Sequence, residues 1–448
     1  MQPAGFYPML AFLRPKQMGT MQILLKTYGC SANTADSEVL AGCLNAAGFT
    51  LARSEESADV VIFNSCAVKG PTENRIIDDL KRIPKTKKII VTGCLPLISF
   101  ERLSREARFD AVAGPAIGKG IVDIVQRVLN GETVTQLQGA LTSMPRLDLP
   151  RIQSNPVVSV VPVNFGCLGS CAFCCVVHAR GHLRSYSLNE VVERVRNDVA
   201  KGSKEIWITS QDTACYGKDI GTDLAELLKA VTAIEGDFRI RVGMMTPNLV
   251  APFLDDLVEA FRSAKVFKFV HLPVQSGDDG ILRRMRRFYT AEQFKETVMT
   301  FRKVFPKITL STDVIVGFPG ETVEAFENTL KLVSEVTPDI VNVSKFFARP
   351  KTAAWELRTE VVDNEEIKRR SAKTAEIVRR IALKRSQLWV GWKGEILVDE
   401  MGKVAGTWVG RNYSYKPIAV KSASNLMGKT LLVKVTKGFS THLIGTTE

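Results

Sequence analysis

The sequence predicts a three-part protein of the α/β class: an N-terminal parallel α/β domain, a central partial (β/α) barrel and a C-terminal small β-barrel. In residues 21–133, apolar runs typical of buried strands alternate with amphipathic stretches typical of helices. Between residues 154 and 385 this alternation occurs six times, which is the pattern of a parallel barrel. Residues 386–448 contain five short strand patterns in succession, which indicates a small closed barrel.

The elements of the first domain follow from the spacing of its apolar residues. Continuous apolar runs predict strands, and recurrence every three or four positions predicts helices. Proline in a first turn and glycine after a last turn mark helix ends. The predicted elements are the strand 21–27, the helix 34–47 closed by Gly48, the strand 60–64, a helix opened by Pro71 and the strand 89–93.

The elements of the other two domains are predicted in the same way. The six barrel strands are expected at 158–163, 205–209, 239–244, 267–272, 308–316 and 340–345. The terminal strands are expected at 395–398, 408–411, 418–421, 431–435 and 443–445. Barrel enzymes carry their sites on the loops that follow the strands, so those loops are the first place to look for chemistry.

Two segments lie outside the predicted domains. Residues 1–20 are expected to form a tail, because they have no convincing signal-peptide core or cleavage site and regular patterning begins at Met21. Residues 134–153 lose periodicity and contain Gly139, Pro145 and Pro150, which is the composition of a linker.

Composition narrows the class of protein. No stretch approaches the roughly 20 apolar residues needed to span a bilayer, so we expect a soluble, cytoplasmic monomer that does not bind membranes. The 60 Lys and Arg against 47 Asp and Glu give a net charge of +13, which favours a polyanionic partner. Nine cysteines without an export signal favour metal or redox use over disulfides.

Three cysteines follow the first predicted barrel strand at spacings of four and three positions: Cys167, Cys171 and Cys174. Three thiolates can hold three irons of a four-iron cluster and leave the fourth iron open for a cofactor. The alternative is a zinc site completed by His178. Structural zinc modules rarely open a six-unit barrel, which favours the iron-sulfur cluster.

A second set of cysteines is predicted from topology rather than from spacing. Cys30, Cys66 and Cys94 each follow a predicted strand of the first domain within three residues. Because the carboxyl ends of parallel strands share one edge of a sheet, the three thiols can converge on a second cluster. The other cysteines, Cys43, Cys175 and Cys215, are expected to be small buried side chains.

Polar or glycine-rich loops after other barrel strands outline a cofactor pocket on the same face. We expect it to be lined by Phe173, Ser210, Gln211, Asp212, Gln275, Gly317 and Glu321. Each loop alone is as consistent with a tight turn as with a ligand contact.

Basic residues mark candidate contacts to RNA. In the terminal domain they are accompanied by Trp392, Trp408, Tyr413 and Tyr415, whose rings could stack on bases or pack in the core. The residues predicted to contact RNA are Arg180, Arg184, Lys393, Arg411 and Lys416.

These motifs, in this order, resemble those of the radical S-adenosylmethionine methylthiotransferases from Met21 to the end. The resemblance is carried by Thr27-Tyr28-Gly29-Cys30 with Asn33, Asp36 and Ser37, by Asn64-Ser65-Cys66, by Gly93-Cys94, by the three-cysteine loop with Ala179-Arg180-Gly181, and by Gln275-Ser276-Gly277. Many members have proline where this chain has His178. The form His178-Ala179-Arg180-Gly181 is similar to the archaeal and eukaryotic branch that acts on threonylcarbamoyladenosine beside the tRNA anticodon.

The resemblance implies an activity. The barrel cluster would bind S-adenosylmethionine and cleave it to a deoxyadenosyl radical, which takes hydrogen from the ring carbon of adenine between its two pyrimidine nitrogens. Sulfur held at a second 4Fe-4S cluster, methylated by another S-adenosylmethionine, would join that carbon. The terminal barrel would be an RNA-binding TRAM domain. A flavodoxin or ferredoxin type of electron donor and a sulfur source are further implied partners.

Three alternatives remain open at this point. Members of the same family act on isopentenyladenosine in tRNA or on an aspartate of a ribosomal protein, although the basic terminal barrel argues against a protein substrate. A non-catalytic, zinc-stabilised RNA-binding protein is the alternative from another class.

Overall fold

The computed structural model describes residues 21–447, so the predicted tail 1–20 lies outside the described residues. The first domain is built on a six-stranded parallel sheet. Its strands are β1 (Gln22–Thr27), β2 (Thr50–Leu51), β3 (Val60–Ser65), β4 (Lys88–Gly93), β5 (Ala111–Ala113) and β6 (Val134–Gln136). Its helices are α1 (Ser31–Ala46), α2 (Gly70–Arg82), α3 (Leu95–Ile98), α4 (Phe100–Glu106) and α5 (Ile121–Leu129).

The spatial order of this sheet is β2-β1-β3-β4-β5-β6, and every neighbouring pair is parallel. All six residues of β3 are buried, as expected for a central strand with helices on both faces. The predicted linker 134–153 begins inside this sheet, since its first three residues form β6 and pair with β5. Three residues are too few to produce a periodic pattern in the sequence, so the strand was not predicted.

The central domain is the partial barrel that the sequence predicts. Its main strands are β7 (Val158–Pro162), β10 (Glu205–Thr209), β11 (Arg239–Val242), β12 (Phe269–His271), β13 (Thr309–Val316) and β14 (Ile340–Lys345); a short antiparallel pair consists of β8 (Asn164–Phe165) and β9 (Arg184–Ser185). Parallel bridges from Ile240 to Val266 and from Met244 to His271 join two three-stranded sheets into the order β7-β10-β11-β12-β13-β14. The described strands leave the barrel open between β7 and β14.

Helices cover the outside of this barrel. They are α6 (Val176–Arg180), α7 (Leu188–Ala200), α8 (Leu224–Thr232), α9 (Pro247–Val250), α10 (Leu254–Ala260), α11 (Asp279–Arg284), α12 (Ala291–Val304), α13 (Val323–Val336), α14 (Ala353–Glu356) and α15 (Asn364–Gln387). Short 3₁₀ turns lie at Gly118–Gly120, Thr213–Cys215, Ala251–Phe253 and Arg358–Glu360. Capping boxes begin α7 at Ser187 and α12 at Thr290.

The first domain packs against the open side of the barrel. On one edge, α1 contacts β7, and Ser31 hydrogen-bonds Thr209 at 2.5 Å. On the other, Arg349, which follows β14, forms a buried ion pair with Glu73 of α2. The gap is thus closed by a separate domain rather than by further strands.

The terminal domain is a closed five-stranded barrel that packs at the amino ends of the central strands. Its strands are β15 (Lys393–Met401), β16 (Thr407–Arg411), β17 (Pro417–Lys421), β18 (Thr430–Gly438) and β19 (Leu443–Thr447), in the order β15-β16-β17-β19-β18. Tyr415 donates a hydrogen bond to Glu205 at 2.8 Å, and Lys416 pairs with Asp339 at 2.7 Å. Glu205 begins β10 and Asp339 directly precedes β14. No helix among the described residues is long and apolar enough to cross a membrane.

Candidate active site

The first set of cysteines lies on an irregular loop between β8 and α6. The backbone amide of Gly169 donates to the sulfur of Cys167 at 3.1 Å. A Cβ atom at Gly169 would lie 3.3 Å from that sulfur and 3.6 Å from the sulfur of Cys171, so only glycine leaves this space open between the two thiols. Soft thiolate donors with an amide donor beside them fit an iron-sulfur cluster.

Positive charge is positioned beside these thiols. Arg287 is buried, and its guanidinium donates to the sulfur of Cys171 at 3.1 Å and to Tyr289 at 2.9 Å. Burial raises the pKa of Cys174, whereas a hydrogen bond from Cys215 lowers the pKa of Cys167. Cys215 is buried as predicted, but it also contacts the cysteine loop, which the sequence did not indicate.

The second set of cysteines converges at the carboxyl edge of the first sheet. Cys30 caps α1, Cys66 follows β3 and Cys94 follows β4. All three line one cavity of about 1050 Å³. Gly29 has a φ of +116°, and a Cβ there would lie 2.8 Å from the Cβ of Cys66, so the tight approach requires glycine. The amide of Val68 donates to the Cys66 sulfur at 3.5 Å.

The cation beside this second set comes from the barrel. Arg180, at the end of α6, is 2% exposed, donates to Asn33 at 3.2 Å and pairs with Asp36 at 2.5 Å, both on α1. Burial raises the pKa of Cys94 to about 12, and the charge of Arg180 opposes that rise. The guanidinium is thus buried between two domains beside the cavity that Arg180 lines, and its contact with RNA stays a prediction.

All three cysteines of the second set line one cavity, and Cys174 of the first set lines a neighbouring one. A second cavity of about 940 Å³ occupies the barrel interior and is lined by Phe173, Cys174 and Gln275. Val68, Lys69 and Pro71 line both cavities. A short segment of the first domain therefore separates the space beside one set of thiols from the space beside the other.

The residues predicted to bind the cofactor divide into two groups. Phe173 and Gln275 line the barrel interior. The backbone of Gln275 has a positive φ of 70°. Gln211 lines the cavity of the first domain and accepts from the amide of Gly166 at 3.0 Å. Ser210 has a buried hydroxyl without a hydrogen-bond partner among the described residues.

The other predicted cofactor residues are used within the fold. Asp212 accepts from the amides of Ala214 and Thr246 and so caps a turn. Glu321 accepts from the amide of Gly317 at 2.7 Å and pairs with Arg370 of α15 at 2.7 Å. Asp212 and Oε2 of Glu321 thus hold loops in place, whereas the buried Oε1 of Glu321 has no hydrogen-bond partner among the described residues.

Several site residues were not predicted from the sequence. His271 hydrogen-bonds Asp313 at 3.0 Å, and Asn342 donates to the same carboxylate at 2.7 Å, across β12, β13 and β14. The histidine holds the pKa of Asp313 below its usual range despite burial of the carboxyl. Single polar residues on alternating strand positions carry no motif, so only the assembled barrel reveals them.

The remaining residues predicted to contact RNA have varied surroundings. Arg184 donates to the carbonyls of Leu141 and Arg180. Arg411 pairs with Asp399 at 3.0 Å, and Lys416 is buried against Asp339. All three side chains make contacts within the protein, and their contact with RNA stays a prediction.

Lys393 is exposed and lies directly opposite Lys434 in the antiparallel pair of β15 and β18. Tyr415 is enclosed near Glu205, and Trp392 packs against Trp389 in the terminal core. The aromatic residues of this domain thus serve largely in packing.

Among residues 21–447, no group of three or more His, Cys, Asp or Glu side chains is arranged as the ligands of a single metal ion.

Known proteins resemble this chain over nearly its whole length. The model of the radical SAM superfamily matches residues 161–333, and that of the uncharacterized protein family UPF0004 matches residues 22–114. The chain is 40% identical to the probable threonylcarbamoyladenosine tRNA methylthiotransferase of Pyrococcus abyssi, over 95% of this chain and 99% of that one. It is 35% identical to the threonylcarbamoyladenosine tRNA methylthiotransferase of Xenopus laevis, over 93% and 75% respectively.

Solved structures share the fold at low identity. The radical S-adenosylmethionine methyltransferase TsrM of Kitasatospora setae, with cobalamin and a 4Fe-4S cluster bound, aligns with a TM-score of 0.52 at 13% identity. That alignment covers 75% of this chain and 77% of the methyltransferase. The similarity is one of fold alone.

Proposed function

This chain belongs to the threonylcarbamoyladenosine tRNA methylthiotransferase family, and we propose that it converts threonylcarbamoyladenosine beside the tRNA anticodon to its 2-methylthio derivative. One observation carries the proposal. Cys30, Cys66 and Cys94 line one cavity, Cys174 of the other set lines a neighbouring cavity, and both cavities are bounded by Val68, Lys69 and Pro71. Adding sulfur to an unreactive ring carbon needs two activities side by side, one that activates carbon and one that delivers sulfur.

Cys167, Cys171 and Cys174 would hold the 4Fe-4S cluster of a radical SAM enzyme. When bound, this cluster supplies the electron that cleaves S-adenosylmethionine. Gly169 keeps space between two of the thiols and donates to one of them. Arg287 places a buried positive charge beside the loop, which stabilises the thiolate forms.

Cys30, Cys66 and Cys94 would hold a second 4Fe-4S cluster, where sulfur is kept for transfer. The support is their convergence on a cavity of about 1050 Å³. Arg180 compensates negative charge there and ties the first domain to the barrel through Asn33 and Asp36. This connection would hold the two cavities in a fixed relation, because a positional error of about 1 Å lowers rates strongly in oriented reactions.

tRNA is the proposed macromolecular substrate. The net charge of +13 favours association with its phosphates. Lys393 and Lys434 lie opposite each other in the pair of β15 and β18, and two neighbouring basic residues favour contact with phosphates. A reductant of the flavodoxin or ferredoxin type and a sulfur donor complete the set of proposed partners.

Nucleoside mass spectrometry tests the substrate. tRNA from a strain that lacks this protein should retain threonylcarbamoyladenosine and lose its 2-methylthio form, and the intact gene should restore it. A triple Cys30, Cys66 and Cys94 to Ala variant is the matched control and should not restore it. Unchanged threonylcarbamoyladenosine derivatives together with loss of a methylthio isopentenyladenosine would assign the chain to the alternative substrate.

A further inference from the structure

Two lysines at the barrel interior are not used by the roles assigned so far. Lys69 lines both cavities, and Lys345, the last residue of β14, lines the cavity of the barrel interior. Both are exposed, and neither side chain makes a hydrogen bond or an ion pair with another residue in the range 21–447, although the charge of Lys69 helps to lower the pKa of Asp313 in the same cavity. Positive charges that are not held in ion pairs beside a large cavity favour an anionic ligand.

The acidic side chains of the same cavity are already engaged. Asp313 accepts from Asn342 and is bonded to His271. Glu365 pairs with Lys368 at 2.6 Å, which also removes that lysine from the available cations. Lys69 and Lys345 are therefore the cations of this cavity that an incoming carboxylate would meet.

The two lysines line the same cavity, at the place where the first domain contacts the segment that follows β14. Gly70 packs so closely on the ring of Phe347 that a Cβ there would lie 2.8 Å from the ring. Lys69 adjoins one partner of this contact, and Lys345 precedes the other by two residues along the chain. Phe347 and Val68 are each about half exposed and present apolar surface beside the lysines.

We propose that Lys69 and Lys345 bind the carboxylate of the threonylcarbamoyl group, while Val68 and Phe347 pack against the modified adenine. This assignment rests on the proposed function and identifies what selects its substrate. A threonylcarbamoyl group carries a free carboxylate, whereas an isopentenyl group is entirely apolar. Placing an isopentenyl group beside two lysines would remove their water without a compensating bond, so the pair selects for one substrate and against the other.

Binding of two anticodon stem-loops tests the assignment. The RNAs are identical except that one carries threonylcarbamoyladenosine and the other unmodified adenosine at the same position. The full-length protein, purified anaerobically with its iron, should prefer the modified RNA. The Lys69→Ala, Lys345→Ala double variant should lose about tenfold or more of this preference, since hydrogen bonds to a charged group are involved. Affinity for the unmodified RNA should change far less.

Three further measurements make the result specific. Lys331→Ala removes an exposed lysine of α13 and should leave the preference intact. Lys345→Arg retains the charge and should keep most of the preference. Binding of S-adenosylmethionine to the double variant should match that of the parent, because the lysines are assigned to RNA rather than to this cofactor.

The outcomes separate this inference from the proposed function. A parent protein that does not distinguish the two RNAs contradicts the proposed substrate. A parent that distinguishes them, together with a double variant that does so equally well, overturns only the role of the two lysines. Loss of S-adenosylmethionine binding in the double variant would reassign the lysines to that ligand.

Discussion

The two ends of the central barrel are each covered by another domain, yet the two interfaces differ in what they enclose. At the carboxyl ends of the strands, the first domain and the barrel line cavities of about 1050 and 940 Å³, the larger beside Cys30, Cys66 and Cys94 and the other beside Cys174. At the amino ends, the terminal barrel leaves a cavity of about 380 Å³ and places buried carboxylates against basic and phenolic groups. One interface is built around space for ligands, and the other around direct contact.

Buried ion pairs stabilise both interfaces, but only those at the carboxyl ends of the strands lie next to the cysteines. Arg180 and Arg349 connect the first domain to the barrel next to the cysteines. Lys416 and Arg385 instead converge on Asp339, far along the strands from the cysteine loops. The difference teaches that a basic residue in this chain cannot be assigned to RNA by charge alone, since interdomain packing uses the same residue types.

The largest effect is expected when either set of cysteines at the carboxyl-end interface is replaced. Changing Cys167, Cys171 and Cys174 to Ala should abolish cleavage of S-adenosylmethionine and leave about half of the iron. Changing Cys30, Cys66 and Cys94 instead should leave half of the iron and retain cleavage, with no methylthio product. Iron analysis and chromatography of deoxyadenosine measure both results. Full iron content in the second variant would show that the first domain holds no cluster.

Arg180→Ala should weaken the carboxyl-end interface more than any surface change. Removing one member of a buried ion pair costs about 3–5 kcal/mol, because Asp36 is left buried without its cation. Denaturant unfolding measures the loss of stability, and iron content should fall with it. Arg196→Ala, at an exposed arginine of α7, is the control and should change stability by less than about 0.5 kcal/mol. Equal stability of the two variants would contradict the connecting role.

The amino-end interface should depend on pH. Burial, with Asp399 nearby, raises the pKa of Glu205 to about 7, while Arg411 and Tyr415 face the same carboxyl. The folded state then binds a proton that the unfolded state releases near pH 4.5, so stability should fall by about 2–3 kcal/mol as pH rises from 4.5 to 7.

Unfolding free energies at pH 5 and pH 8 measure this dependence. Glu205→Gln should flatten it, because the amide cannot release a proton. Glu235→Gln, at an exposed position after α8, should leave the slope as it is. A slope unchanged by Glu205→Gln would assign the pH dependence to other groups.

The smallest expected effect concerns RNA at the terminal barrel. Lys393→Ala with Lys434→Ala should lower tRNA affinity and reduce the slope of log affinity against log salt by about 0.7–0.9 per lost phosphate contact. Lys416→Met should instead alter stability and leave that slope unchanged, since its ammonium is buried against Asp339. Affinity measured across a salt series distinguishes the two. Identical slopes in all three proteins would place the RNA contacts on another surface.

Much of the fold could be predicted from the sequence, because long apolar runs are typical of buried strands. The six barrel strands and the five terminal strands occur where the pattern predicts them. The short strands β2, β5 and β6 were missed, since two or three residues give no measurable period. These short strands form because neighbouring strands pair with them.

The site was predictable only where residues are close in sequence or where topology fixes their place. The spacing of Cys167, Cys171 and Cys174 identified one loop, and the shared edge of a parallel sheet brought together Cys30, Cys66 and Cys94. The partners of Arg180 and Lys416 could not be predicted, because they are 147 and 77 residues away in the chain. Burial by a distant segment leaves no local signal.

The contact between Asn33 and Arg180 also has a consequence for biosynthesis. The two residues are 147 positions apart, so at about 5–20 residues per second the ribosome adds Arg180 some 7–30 seconds after Asn33. The strands of the first sheet are complete once β6 ends at Gln136, and Arg180 is added only after that point. The nascent first domain therefore has all its strands before it receives the cation beside Cys30, Cys66 and Cys94, which the α6 segment supplies.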